Sequence, residues 1–180
     1  KKFNDVDLWV AEYDIKKFYD CVNHNVIRKS FESKVLQLQN KGIIINKRAI
    51  ELFNSYLDCY SFNMDVTSIK LGKNKYFGWV NDNELKEINS DKENEMIGVP
   101  QGGALSCLIA NILMDDVDKE VLKHNEGNLF YARFCDDMVL IHPQEKICNI
   151  ALKSYSEALK NVRLIGHSPS KIEKYDKTFW

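Results

Sequence analysis

The chain has 180 residues, 44% of them hydrophobic, and a formal net charge of −1. That is enough apolar material to bury a core in one or two domains. No apolar run approaches membrane-spanning length, which argues against a membrane-spanning class; no cleavable signal is visible within the sequence, and no segment repeats. Cys21, Cys59, Cys107, Cys135 and Cys148 show no paired metal-ligand spacing and read as reduced thiols, with Cys107 and Cys135 expected as small buried side chains.

In chain order, Leu8-Trp-Val-Ala-Glu-Tyr13 is mostly apolar and predicts a buried strand with Asp14 at its C-terminal end. Asp20 is expected as a cap or local acceptor for the helix that follows. Asn25 to about Asn40 carries Val26, Ile27, Phe31, Val35, Leu36 and Leu38 at a helical period, closed by Gly42. Asn46 is the expected cap of a second helix running to about Asp65, with Ile50, Phe53, Leu57 and Tyr60 on one face. Ser68 to Val80 reads as extended, with Lys70, Lys73 and Lys75 as a charged stretch, and Asp82 to Glu95 as a mobile surface loop. Ile97-Gly-Val-Pro-Gln-Gly-Gly103 is a glycine-rich loop leading into a helix over Ala104 to about Lys123. Leu129 to Phe134 and Met138 to Ile141 read as the strands of a hairpin, with Asp136 and Asp137 in its turn. An amphipathic helix over Gln144 to Val162 and a short terminal element complete the chain. A small antiparallel sheet with helices packed on one face is the expected α+β architecture.

The adjacent carboxylates Asp136 and Asp137 carry the chemistry. Inside a strand they would be costly, because each prefers water and they repel one another. At a hairpin tip they are exposed, and a divalent cation absorbs the repulsion. An ordinary polar turn is the plainer reading, since Asp is common in turns. Asp14 shifts the balance: if strand 8–14 pairs beside the hairpin, Asp14 and Asp136 converge where side chains leave the sheet. Carboxylate oxygens suit Mg²⁺. Two such ions about 3.5–4 Å apart hold the attacking and leaving oxygens of an in-line phosphoryl displacement. The glycine loop adds close backbone approach and helix N-terminal N–H groups for an anion, although many helices begin this way.

These segments, in this order, resemble the reverse transcriptases, and among them the bacterial lineage of group II intron maturases, retrons and abortive-infection or defence-associated enzymes. Asp14-Ile-Lys-Lys-Phe-Tyr-Asp20 matches the first palm motif. Gly98-Val-Pro-Gln-Gly-Gly-Ala-Leu-Ser106 with Asn111 matches the Pro-Gln-Gly motif and its helix. Phe134-Cys-Asp-Asp137 matches the aromatic-x-Asp-Asp box, and Ser168-Pro-Ser-Lys171 resembles a lysine-bearing loop further on. The likeness runs from residue 8 to about residue 175, with little specificity over 25–97. It departs in three places: Cys107 follows Ser106 where Pro is usual, Ala104 stands where many members have Pro, and the box reads Phe-Cys-Asp-Asp rather than Tyr-Ala-Asp-Asp. The ending Lys177-Thr-Phe-Trp180 looks more like the defence-associated branch.

The resemblance implies an RNA-directed DNA polymerase using two Mg²⁺ ions, with Mn²⁺ as a substitute. Asp14 and Asp136 would bind both ions, Asp137 would assist, and the Ile15 carbonyl would add an oxygen. Tyr19 would lie under the incoming sugar and exclude a 2′-hydroxyl. Gln101 and Gly102 would contact the template pair and nucleotide, and Lys171 would stand near the triphosphate. Implied partners are a dNTP, an RNA template and a DNA primer, with a non-coding RNA or accessory protein also considered, no membrane, and the bacterial cytoplasm as the setting. Residues 1–24 would be palm, 25–97 a fingers-type helical insertion with mobile loop 82–95, and 98–180 palm again. The chain is expected to be a fragment of a longer polymerase, inactive alone, since it lacks an initiator Met, the upstream basic finger strands and a thumb.

The near-neutral charge lacks the basic excess that phosphate contacts favour, because the acidic cluster and the acidic loop offset the lysines and arginines. His24, His124, His142 and His167 are scattered and read as surface or structural residues, and Trp9, Trp79 and Trp180 as packing residues. Lys16 and Lys17 read equally as phosphate contacts or a solvated pair. The rival functions are a catalytically silent nucleic-acid scaffold and untemplated nucleotide addition by the same site. A nucleotide cyclase is disfavoured by Pro100-Gln101-Gly102 before the helix.

Overall fold

The computed structural model describes residues 6–63, 95–124, 127–167 and 172–175. The chain divides into two compact units, the first made of Lys1–Lys16, Met114–Asn161 and Ile165–Trp180, the second of Lys17–Leu113 and Val162–Leu164.

The first unit is built on a four-stranded antiparallel sheet. Its strands are β1 (Leu8–Tyr13), β2 (Phe130–Phe134), β3 (Asp137–His142) and β4 (Glu173–Tyr175), in the order β2-β3-β1-β4. Alternation along β3 decides which face is inside: Met138, Leu140 and His142 are buried, while the residues between them are not. The helix Glu145–Asn161 covers that face with a stripe of Cys148, Ala151, Leu152, Tyr155, Ala158 and Leu159, all buried at helical spacing. Tyr155 meets Tyr13 of β1 edge-on, with ring centroids 5.4 Å apart. Full burial of a side chain such as Leu140 or Leu159 contributes roughly 1.5–3 kcal/mol. Past β1 the chain continues as an isolated bridge between Ile15 and Gly166, where a Cβ on Gly166 would collide with the Tyr13 ring. The α+β architecture is therefore the one the periodicity predicts.

The second unit holds α1 (Phe18–Cys21), α2 (His24–Asn40) and α3 (Lys47–Asp58), together with residues 95–105 and the start of α4 (Ser106–Leu122); the helix Glu145–Asn161 of the first unit is α5. Asp20 is not the cap of α2. It lies inside the single turn of α1, and Asn23 caps α2, its side chain accepting from the N–H groups of Asn25 and Val26 at 3.0 and 3.1 Å. Gly42 follows α2 with φ 79°, the left-handed conformation expected after a helix. Asn46 caps α3 as predicted, but α3 ends at Asp58 rather than near Asp65, because the chain turns there to bring Phe62 and Asn63 onto Ile97. Phe31 and Phe53 stack at 3.8 Å between α2 and α3.

Glu95 corrects the reading of Asp82 to Glu95 as a surface loop at its one described residue. It is 7% exposed, and its carboxylate accepts from Asn23 Nδ2 at 3.0 Å, Asn25 Nδ2 at 3.1 Å and Arg163 Nη1 at 2.5 Å. A buried carboxylate needs such donors. Cys107 and Cys135 are also not buried; Cys107 is exposed and Cys135 half-buried, whereas Cys21 and Cys148 are the buried thiols. Ser68 to Val80, residues 82–94, Trp79, Lys171 and Trp180 lie outside the described residues. Among the described residues no helix is long and apolar enough to cross a membrane.

Candidate active site

The strand registers bring the predicted acids together within the first unit. Tyr13 pairs with Met138, so the next step along the ladder sets Asp14 opposite Asp137, and Phe134 pairs with Asp137 from the other side. Side chains alternate across a sheet, so Asp14, Asp137 and Phe134 share one row on the face away from α5, with Glu12, Val139 and Ala132 in the next. These residues line an open cleft of about 510 Å³. The hairpin turn is Cys135-Asp136, and Asp137 is the first residue of β3 rather than a turn residue, because it pairs with Phe134. Cys135 adopts φ 55°. This left-handed conformation costs a residue with a Cβ roughly 1–2 kcal/mol, which is why Asn-Gly usually closes such turns.

The three acids share one electrostatic field. Burial lifts the Asp136 carboxyl above the usual range, and the charges of Asp137 and Asp14 push it the same way, while its own backbone N–H works against them. Asp14 Oδ2 lies 3.6 Å from His167 Nε2, both side chains well exposed. Around the Ile15–Gly166 bridge, Lys16 N–H donates to the Ile165 carbonyl at 2.8 Å and His167 N–H to the Asp14 carbonyl at 2.9 Å. The bridge thus uses neither polar group of Ile15, whose carbonyl lies on the opposite edge of the strand.

Among the described residues no group of three or more His, Cys, Asp or Glu side chains stands ready-made to hold a metal ion. The donor chemistry nonetheless fits a hard divalent cation. All the candidate donors are oxygens, and the Asp136 carboxyl is destabilised as an anion by burial and by its acidic neighbours. Mg²⁺ takes only one or two carboxylates from a protein and completes its shell with water and phosphate oxygens.

Two residues that sequence reasoning missed brace this hairpin. Arg133, with a side chain only 8% exposed, donates from Nε and Nη2 to Oδ1 and Oδ2 of Asp118 on α4 at 2.8 and 2.7 Å. Its Nη1 donates to the Cys135 carbonyl at 2.7 Å, and the Tyr131 hydroxyl donates to Asp118 Oδ1 at 2.5 Å. Burial opposes the Arg133 charge, but Asp118 outweighs it and holds the guanidinium protonated. Their separation of 15 residues matches no helix or strand period, so only an apolar segment carrying a lone Arg hinted at the pair.

Tyr19, Gln101 and Gly102 form a second set, within the second unit. Gly103 N–H donates to the Pro100 carbonyl at 3.0 Å, and Gly102 has φ 76°, so Pro100 to Gly103 is a tight turn of the type that needs glycine at its third position. Gln101 and Gly102 are exposed at its tip. Val99 N–H donates to the Tyr19 carbonyl at 2.7 Å and Gly98 N–H to the Val22 carbonyl at 2.8 Å, which ties the loop to α1. His24 Nε2 donates to the Gly98 carbonyl at 2.6 Å, and burial lowers the affinity of this ring for a second proton. Ser106 Oγ donates to the Pro100 carbonyl at 2.5 Å, so the Tyr56 hydroxyl, 3.0 Å away, is the donor to Ser106. A Cβ on Gly103 would collide with that hydroxyl. Tyr19 is half-buried with its ring edge-on to Phe18 at 5.2 Å. Asp20, beside it, has its carboxyl raised by burial and eased by Lys17.

The sequence matches the reverse transcriptase (RNA-dependent DNA polymerase) family over residues 4–179. The chain belongs to that family, and its small antiparallel sheet with helices is the family's palm-like fold. Among solved structures, apo telomerase from Candida tropicalis, truncated from its C-terminal domain, is similar in fold, with a TM-score of 0.60 at 16% identity, over 96% of this chain and 31% of that one. The chain therefore spans under a third of the length of that structure. No curated protein matches the sequence.

Proposed function

We propose that the chain is the catalytic palm, with part of the fingers, of an RNA-directed DNA polymerase that joins deoxynucleotides to a primer 3′ end. The observation that carries this reading is the strand register pairing Tyr13 with Met138, which brings Asp14 to the hairpin end that carries Asp136 and Asp137, in a chain of this family. The primer 3′-oxygen attacks the α-phosphate of a dNTP, a new P–O bond forms, and the bond to pyrophosphate breaks. Bound divalent cations, two Mg²⁺ or Mn²⁺, supply the charge neutralisation for that displacement. Asp14, Asp136 and Asp137 hold the cations, with the Ile15 carbonyl as a further oxygen. The remaining work is positioning. Tyr19 underlies the sugar and selects against a 2′-hydroxyl, Gln101 and Gly102 present the turn to the template pair, and Lys171 meets the triphosphate. The open sheet face, with the exposed ring of Phe134 beside Asp137, is the surface for the RNA template and DNA primer.

In this reading residues 1–24 and 98–180 are palm and 25–97 belong to the fingers. The motif spellings favour a bacterial intron, retron or antiphage enzyme working in the cytoplasm, with a non-coding RNA or accessory protein as a further partner. Three crowded carboxylates, of which Asp136 is raised by burial and by the charges of Asp137 and Asp14, argue against a silent scaffold, which has no use for them. Primer extension by the full-length parent separates the readings. With an RNA template and each dNTP omitted in turn, synthesis stops at the complementary positions. Extension indifferent to omission indicates untemplated addition, and no extension under any condition indicates the scaffold.

A further inference from the structure

Arg133 does more in this geometry than balance a charge. Asp118 takes two of its donor atoms in a paired fork, which fixes the plane of the guanidinium, and Tyr131 steadies the same carboxylate. The third donor atom, Nη1, is thereby aimed at the carbonyl of Cys135 at 2.7 Å. That carbonyl and the N–H of Asp136 belong to one planar peptide unit. One rigid plane therefore carries the Arg133 contact at one end and, at the other, the backbone nitrogen from which the Asp136 Cα and side chain depart. A hairpin has no need of this device for closure, because Asn-Gly in the same two positions would close it without side-chain help. The chain instead keeps a left-handed Cys135 and a desolvated arginine under it.

We propose that Arg133, locked by Asp118, is a positioning residue for Asp136: its grip on the Cys135 carbonyl sets the peptide plane that leads into Asp136 and so the direction of the cation-binding carboxylate. This rests on the cation-binding role proposed above for Asp136. Groups that orient metal ligands typically change metal affinity by about 10–100-fold when lost.

The test uses the full chain, Mn²⁺ alone as the probe, electron paramagnetic resonance for binding, and circular dichroism for folding. Arg133→Lys keeps the charge but loses the fork, and Asp118→Asn loses the fork from the other side. Each is expected to weaken Mn²⁺ binding about 10-fold or more while the chain stays folded. Asp136→Asn weakens it at least as much. The decisive variant combines Arg133→Lys with Asp136→Asn: if Arg133 acts through Asp136, the pair binds no more weakly than Asp136→Asn alone. Additive losses, or unchanged affinity in a folded Arg133→Lys or Asp118→Asn, overturn the proposal while leaving the cation role of Asp136 standing. Failure of both single variants to fold assigns the pair to stability alone and also overturns it. Unchanged Mn²⁺ binding in Asp136→Asn removes the cation role itself, and this inference with it.

Discussion

The acid-bearing hairpin and the Pro-Gln-Gly turn are both tight turns, yet they are built by opposite means. The hairpin turn puts a side chain where glycine would be comfortable, at Cys135, and holds it from below with a charged side-chain network. The other turn uses glycine where the backbone demands it, at Gly98 and Gly102, and is held by hydroxyls and backbone bonds. The first presents carboxylates; the second presents backbone and one amide side chain. Charge should therefore dominate the response of one region to substitution, and steric fit the response of the other.

The largest effect should come from the charged region. Asp136→Asn in the intact parent should cut primer extension by about 100-fold or more, in line with the loss of a group that stabilises developing charge, with template binding nearly unchanged. Robust synthesis by that variant would erase the distinction between the two turns. Tyr19→Ala comes next and should raise ribonucleotide incorporation, read from competition between ribo- and deoxynucleotides; unchanged discrimination removes Tyr19 from the sugar contact. Steric fit is then tested at two glycines. Gly98→Ala would set a Cβ 2.5 Å from Phe62 Cβ at φ 95° and should cost about 2–4 kcal/mol from overpacking and strain together. Gly102→Ala meets open space at φ 76° and should cost only the strain, roughly 1–2 kcal/mol. Thermal melts showing equal losses would contradict the packing account. Smallest of all, Tyr56→Phe removes the donor to Ser106 and should cost about 1 kcal/mol.

Much of this was legible in the sequence because period-2 and period-3.6 patterns survive without knowledge of partners. The strand before Asp14, the hairpin around residues 130–142 and the stripe of α5 all fall within a residue or two of expectation. What was hidden depends on partners distant in the chain. Asp20 and Asn23 are equally good caps on paper, and only the turn of α1 decides between them. Glu95 reads as one more solvated acid until Asn23, Asn25 and Arg163 surround it. His167 reads as scattered, yet the chain returns it to Asp14. The Arg133–Asp118 pair joins a strand to a helix, which no local period encodes.

The central claim is that Asp14, Asp136 and Asp137 form one acid site completed by a divalent cation. It is tested most directly by melting the full chain and its Asp136→Asn variant against pH and Mg²⁺. The Asp136 carboxyl is raised in the folded state, so the native chain binds more protons there, and stability is lost as pH rises through its folded value. Without cation, Asp136→Asn should then melt above the wild type at neutral pH, with the advantage shrinking as pH falls through the raised folded value of Asp136 and gone once pH is below the ordinary carboxylate range. Added Mg²⁺ should raise the wild-type melting temperature, through binding to the native state, and leave the variant almost unmoved. Equal responses to Mg²⁺ in the two chains would contradict the account.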